Sequence, residues 1–319
     1  MRHVISAKAF DRDALLGLLA EAARMQVALG RGGLRTQDGK VMAALFFEPS
    51  TRTRLSFEAA MLRLGGQVIS TENAREFSSA IKGETLEDTI RVVAGYADVI
   101  VLRHHEVGAA ARAARVSRVP ILSAGDGAGE HPTQALLDLY TVWREVGRVE
   151  DLTVALVGDL LYGRTVHSLV YVLSRFSGIR LLCVAPDVTP LPADVREYAA
   201  AHGVRVEVEP DLHKAAQVAD VVYQTRVQKE RFASAADYER ARGQYIVDRG
   251  LLSAMRADSI VMHPLPRAGE VAPDVDDDPR AAYFRQTHYG VPVRMALLER
   301  SLQAQVAGEP VWSESAEVQ

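Results

Sequence analysis

Residues 41–64 read VMAALFFEPSTRTRLSFEAAMLRL, and this stretch decides the fold. From Val41 to Phe47 the chain is unbroken apolar, bounded by Asp38-Gly39 before it and Pro49 after it, the pattern of a strand buried on both faces. Past Thr51 the apolar positions Leu55, Phe57, Ala60, Met61 and Leu64 change to helical spacing. A buried strand that turns directly into a helix opens a parallel βαβ unit. The alternation recurs along the chain. Strands are expected at 99–102, 119–123, 152–157, 179–184, 204–208, 218–223 and 259–262, with helices between them such as 86–96, 132–146 and 165–176. Before the first strand, Leu15, Leu18, Leu19, Ala22 and Met25 follow Asp11 and Asp13 as an acidic-ended amphipathic helix, broken by the glycines at 30–33.

So many strands exceed one ordinary open sheet. The pattern predicts an α/β protein with two doubly wound parallel-sheet domains joined by crossing helices. The first domain is expected over 1–132, completed by a returning helix at 291–305, and the second over 133–290. Residues 308–319 lack periodicity and are expected to be a flexible tail.

Composition narrows the class. Of 319 residues 48% are hydrophobic and 24% charged, enough to bury a sizeable core. Basic and acidic residues number 37 and 41, a net charge of 37 − 41 = −4, which argues against a dedicated nucleic-acid binder. The single cysteine, Cys183, excludes an intramolecular disulfide and a multi-cysteine zinc site. No apolar run approaches a bilayer span, and the first residues are too polar for a secretory signal. A soluble, cytoplasmic protein is expected. Positive charge is nearly all arginine; lysine occurs only at Lys8, Lys40, Lys82, Lys214 and Lys229.

Five segments carry candidate chemistry, and each follows an expected strand. In Glu48-Pro49-Ser50-Thr51-Arg52-Thr53-Arg54 a helix N-terminus offers free N–H groups, three hydroxyls and a planar guanidinium, a combination suited to phosphate. In Gly125 to Gln134, His131 and Gln134 stand at i and i+3 of a helix start, as a carbonyl- and amide-binding pair or equally as a capped helix with a surface histidine. Gly158 to Thr165 has phosphate-loop spacing, but Arg164 stands where lysine is required, which disfavours a nucleotide site. Thr225 to Arg231 alone reads as a solvated charge run, and His263-Pro264-Leu265-Pro266-Arg267 alone as a strand-ending turn in which one Pro bond suits cis. Ligands of open α/β sheets bind beyond the carboxyl ends of strands. Loops carrying Arg52, Arg103, Arg164, Arg226 and His131 therefore predict a cleft for several negative groups.

Taken in order, FFEPSTRTRLSFEAAMLRLGG, KGETLEDT, LRHHE, AGDGAGEHPTQALLDLYT, VGDLLYGRTVHSL, TRVQKERF and HPLPR resemble the aspartate/ornithine carbamoyltransferase superfamily over about residues 3–305. The resemblance implies transfer of a carbamoyl group from carbamoyl phosphate to an amino acid, in the aspartate branch giving N-carbamoyl-L-aspartate for pyrimidine biosynthesis. It implies that Ser50, Thr51, Arg52 and Thr53 bind the phosphate, that Thr53, Arg103 and His131 face the carbamoyl oxygen, and that Gln134 and the Leu265 backbone, in the cis-proline loop completed by Pro266, hold the carbamoyl NH₂. Arg164, Arg226 and Gln228 would grip the carboxylates of aspartate. A loop lent by a neighbouring subunit, here residues 76–85, would supply Ser78 and Lys82, so a homotrimer with shared sites is implied. Arg52, Thr53, Lys82, Arg103 and His131 would be the catalytic set, with Lys82 also reaching aspartate and with no cofactor or metal. Glu48 with Arg164 and Arg231 would form interdomain ion pairs.

The loop HPLP lacks the cysteine typical of ornithine enzymes, and Arg226 would repel an ornithine ammonium, so aspartate is the expected acceptor. Cys183 reads as a buried strand residue. The sequence departs from the family at Leu161, often lysine, and at Ala80-Ile81 before Lys82. These departures concern subunit contacts and leave room for a regulatory or pathway-enzyme partner chain.

Overall fold

The computed structural model describes residues 3–72, 83–227, 232 and 234–306. The chain divides into two compact units, one of residues up to Leu137 joined by those from His288 onward, the other Asp138–Thr287. Both crossings fall inside helices, α5 (Pro132–Val146) and α11 (Tyr283–Val306).

The first unit holds a four-stranded sheet of β1 (Val41–Phe46), β2 (Gln67–Glu72), β3 (Val99–His104) and β4 (Ile121–Asp126) in the order β2-β1-β3-β4, every pairing parallel. Alternate residues of each strand face opposite sides. Ala43, Leu45, Ile100, Leu102 and Ile121 pack under α3 (Leu86–Val93) and α4 (Ala109–Val116) through Leu86, Ile90, Ala109 and Ala113. The other face takes α2 (Thr51–Arg63), whose Phe57, Ala60 and Met61 are fully buried. The N-terminal helix α1 (Arg12–Leu29) is tied to α11 by Arg24–Glu299 at 2.9 Å and Arg300–Glu21 at 2.5 Å.

The second unit holds β5 (Thr153–Val157), β6 (Arg180–Val184), β7 (Arg205–Val208), β8 (Val221–Gln224) and β9 (Ile260–Met262) in the order β7-β6-β5-β8-β9, again all parallel. One face packs Ala155, Val157, Leu182, Val222 and Val261 against α8 (Leu212–Val218) and α10 (Arg249–Ala254). The helices α6 (Arg164–Leu173), α7 (Ala193–Ala201) and α9 (Ala235–Ala241) complete the described elements of this unit.

Strand order sets where ligands can sit. From β1 the chain steps to β2 on one side and then returns past β1 to β3; from β5 it steps to β6 and β7 and then returns past β5 to β8. Adjacent connections there run to opposite faces and leave a crevice at the carboxyl ends. The switch points are therefore β1/β3 and β5/β8.

Three expectations need correction. The edge strand β2 was not expected, because its residues are largely exposed and polar and leave no continuous apolar run. Val218 ends α8 instead of beginning a strand. The last helix starts at Tyr283, ahead of 291, with Pro292 inside it where a Val-Pro pair reads as a helix start. The 308–319 tail lies outside the described residues.

Candidate active site

At the β1/β3 switch point Phe46 pairs in register with Arg103, and the Phe47 N–H donates to the Arg103 carbonyl at 2.9 Å. This sets Arg103 beside the turn that leads into α2. Its guanidinium lies 3.4 Å from Glu48 and donates to the Ala124 carbonyl at 3.1 Å, so it spans from the β1 turn to β4. Ser50 holds the N-cap position of α2, yet its hydroxyl makes no capping bond. The first N–H groups of this thirteen-residue helix receive no capping bond from Ser50, and a helix N-terminus of this kind is suited to an anion. Arg52 and Thr51 are exposed there and Thr53 is buried. Partial desolvation lowers the pKa of Arg52, which stays cationic. Arg54 has a different place: it is held by Glu58 and Glu72, each at 3.0 Å.

The loop after β4 is clamped to the loop after β3. The Asp126 carboxylate accepts the N–H groups of Gly108 and Ala109 at 3.0 and 3.2 Å, capping α4. Gly127, at φ +53°, donates to the His104 carbonyl, and a Cβ on it would stand 2.7 Å from the His105 carbonyl oxygen. On its other side Glu130 accepts from the Ser6 hydroxyl at 2.7 Å and the Ala7 N–H at 2.6 Å. Burial pushes the Glu130 carboxyl up in spite of these bonds. The clamps fix His131, whose carbonyl accepts the N–H groups of Gln134 and Ala135 and starts α5. Both His131 and Gln134 are at least nine-tenths buried, which replaces the surface-histidine reading.

In the second unit Gly158, at φ +103°, lets the chain leave β5 against the Thr225 segment that ends β8. The Thr225 hydroxyl donates to the Val157 carbonyl at 2.8 Å. The Asp159 carboxylate accepts the Tyr162 N–H at 2.9 Å, and the His167 ring meets the Leu160 carbonyl at 2.8 Å. The folded loop delivers Arg164, 8% exposed, as the first residue of α6, one strand away from Arg226.

Beyond β9, Leu265 adopts φ +54° and the Leu265–Pro266 bond is cis. The Leu265 N–H donates to His263 Nδ1 at 2.7 Å, and His263 Nε2 lies 2.8 Å from Glu270. Burial acts to raise the Glu270 pKa, but the bonds from His263 and Ala268 leave it lowered. His263 lies in a segment singled out from the sequence but was given no role there, and Glu270 was not singled out; the available signal was a carboxylate seven positions beyond a histidine across a Pro- and Gly-containing turn.

Ser78, Lys82, Gln228 and Arg231 lie outside the described residues. Within its own unit Glu48 pairs with Arg103; Arg231, expected in an ion pair with it, is among the residues outside the description. Cys183 is buried, its thiol pushed up to about 11 by desolvation.

Two parallel α/β sheets with arginine-bearing loops at both switch points define a protein that handles small anionic substrates. Residues 2–144 match the carbamoyl-P binding domain, and residues 150–300 the Asp/Orn binding domain, of aspartate/ornithine carbamoyltransferases. The chain belongs to this family. It is 54% identical over 303 residues to the chloroplastic aspartate carbamoyltransferase of Oryza sativa subsp. japonica, covering 93% of this chain and 84% of that one. The catalytic subunit of Methanocaldococcus jannaschii aspartate transcarbamoylase is 48% identical, with a TM-score of 0.88, over 95% of this chain and 98% of its own. The Trypanosoma cruzi aspartate transcarbamoylase in complex with carbamoyl phosphate and aspartate is 45% identical, with a TM-score of 0.89, over 93% and 95%.

Proposed function

We infer that this chain transfers the carbamoyl group of carbamoyl phosphate to the α-amino group of L-aspartate, giving N-carbamoyl-L-aspartate and phosphate, a step of pyrimidine biosynthesis. The observation that carries the reading is Arg103 in register beside the uncapped Ser50 at the N-terminus of α2. There a phosphate would meet helix N–H groups, hydroxyls and a guanidinium together.

In this reading Ser50, Thr51, Arg52 and Thr53 hold the phosphate, joined by Ser78 and Lys82. Thr53, Arg103 and His131 donate to the carbamoyl oxygen. Gln134 and the Leu265 carbonyl, in the loop with Pro266, hold the carbamoyl NH₂. Arg164, Arg226 and Gln228, with Lys82, take the two carboxylates of aspartate. The deprotonated amine attacks the carbonyl carbon; the new N–C bond forms as the C–O bond to phosphate breaks, and the proton shed by the nitrogen leaves with phosphate or solvent. Negative charge grows on the carbonyl oxygen, where fixed donors stabilise it by a factor of about 100–1000 each. The leaving phosphate is met by Arg52, Arg103 and Lys82. Bringing two anions into attack geometry supplies much of the remaining acceleration.

The protein acts, on this reading, as a cytoplasmic homotrimer in which a neighbouring subunit lends Ser78 and Lys82. Lys82 is one of five lysines in an arginine-rich chain, which favours a specific task for it. Among the described residues no helix is long and apolar enough to cross a membrane. Initial rates with carbamoyl phosphate and either aspartate or ornithine, over protein concentrations that span trimer dissociation, test the reading. Aspartate turnover that falls on dilution supports it; ornithine turnover overturns the acceptor, and dilution-independent turnover overturns the shared site.

A further inference from the structure

Leu265 has a side chain in the left-handed region, a conformation that persists only where the surroundings over-determine it. Its own N–H is the point of control. A backbone N–H can only donate, so at 2.7 Å from His263 Nδ1 it requires a lone pair on that nitrogen. The ring proton then belongs to Nε2, where the Glu270 carboxylate receives it at 2.8 Å. The second Glu270 oxygen accepts the Ala268 N–H at 2.9 Å, so the loop closes on the same carboxylate.

The histidine backbone is fixed as firmly. The His263 N–H donates to the Gln286 carbonyl oxygen at 2.9 Å, which sets the orientation of that amide; Gln286 donates to Asp138 at 2.7 Å, and Asp138 accepts the Tyr223 hydroxyl at 2.7 Å. All four side chains are at most 1% exposed. A network so fully desolvated tolerates one arrangement of its protons.

We propose that His263 is a positioning residue: Glu270 fixes its Nε2–H tautomer, Nδ1 accepts the Leu265 N–H, and the Leu265 carbonyl is thereby aimed at the carbamoyl NH₂. The proposal rests on the reading that the Leu265 carbonyl holds that NH₂. It adds that the aim depends on which ring nitrogen carries the proton. A ring protonated on Nδ1, alone or on both nitrogens, would set its N–H against the Leu265 N–H and release the loop.

His263→Asn and His263→Gln separate this role from a packing role. The asparagine oxygen reaches the place of Nδ1 and accepts from Leu265, while losing Glu270. The glutamine amide reaches the place of Nε2 and meets Glu270, leaving the Leu265 N–H without its acceptor. His263→Asn should lose no more than about tenfold in kcat, and His263→Gln about 100-fold with a raised KM for carbamoyl phosphate and an aspartate KM within about twofold. Equal losses in the two variants, or losses that follow their melting temperatures, overturn the proposal. Nitrogen-15 shifts of histidine-labelled wild-type protein give a readout that needs no variant: a proton on His263 Nδ1 overturns it. Failure of the wild type to carbamoylate aspartate at all would instead overturn the underlying reading.

Discussion

Gly158 meets Thr225 so closely that a Cβ on the glycine would stand 2.6 Å from the Thr225 carbonyl oxygen and 2.8 Å from its hydroxyl. The contact joins the ends of β5 and β8, the two strands that flank the second switch point. Gly158 also needs φ +103°, which a side chain opposes independently of space. Gly158→Ala should therefore cost about 2–4 kcal/mol of stability and displace the loop that presents Arg164. Thermal unfolding and the KM for aspartate read the two effects. An unchanged melting temperature with an unchanged KM would contradict the packing argument.

Arg52 and Arg54 sit two residues apart and should respond to truncation in opposite ways. Arg54 is committed to Glu58 and Glu72, so Arg54→Ala should lower stability by about 1 kcal/mol and leave the first N–H groups of α2 in place. Arg52 stands in the first turn of the helix, exposed toward the proposed phosphate. Arg52→Ala should lower kcat/KM at least about 100-fold with little change in melting temperature, and Lys82→Ala should do the same. Rates near wild type for either would remove that residue from phosphate binding.

These two arginines mark how far the sequence could be read. The strand-turn-helix of 41–64 announces both the sheet and the proposed anion site, because a buried parallel strand must be apolar throughout and the turn after it must open a helix. The same logic located the loops that carry Arg103, His131, Arg164 and Arg226. It does not reach side-chain commitments made across the fold. That Arg54 serves Glu72 depends on β2, an edge strand whose half-exposed residues leave no apolar signature. Glu48 reads equally as a partner for any nearby arginine, and only the Phe46–Arg103 register shows that Arg103 comes within reach of it. His263 and Glu270 are brought together only by a turn with an unusual φ at Leu265, which spacing does not encode.

His104 predicts a pH dependence of the first unit. Burial, followed by the charges of neighbouring His105 and Arg112, lowers its pKa from 6.5 to about 4, and its Nδ1 accepts the Glu106 N–H at 3.1 Å. The folded state thus prefers the neutral ring. Between about pH 4 and 6.5 the unfolded chain binds the extra proton, so stability is full above 6.5 and is lost as pH falls through this window. The loss should be roughly 2 kcal/mol once solvent screening of the ring is allowed for. His104→Asn keeps an acceptor for Glu106 and should flatten the slope between pH 5 and about 6.5. Denaturant titrations across that range measure it; an unchanged slope would assign the dependence to other groups.

Glu130 carries the opposite sign. Burial raises its pKa, so in the window between the unfolded and the folded value it is the native state that holds the extra proton. Its contribution is fully present below the unfolded pKa and is lost as pH rises through the folded one. Its bonds to Ser6 and the Ala7 N–H attach the N-terminal turn to the loop immediately before His131. Glu130→Ala frees that loop and leaves the Ala7 N–H without its acceptor, a loss of about 1–3 kcal/mol. Because His131 is proposed to face the carbamoyl oxygen, kcat should fall with the stability, by about tenfold or more. Glu130→Gln keeps one oxygen for the Ala7 N–H and removes the titration, so it should retain most of the stability while losing the pH dependence. A glutamine variant as unstable as the alanine one would show that the charge, and not the attachment, holds the loop.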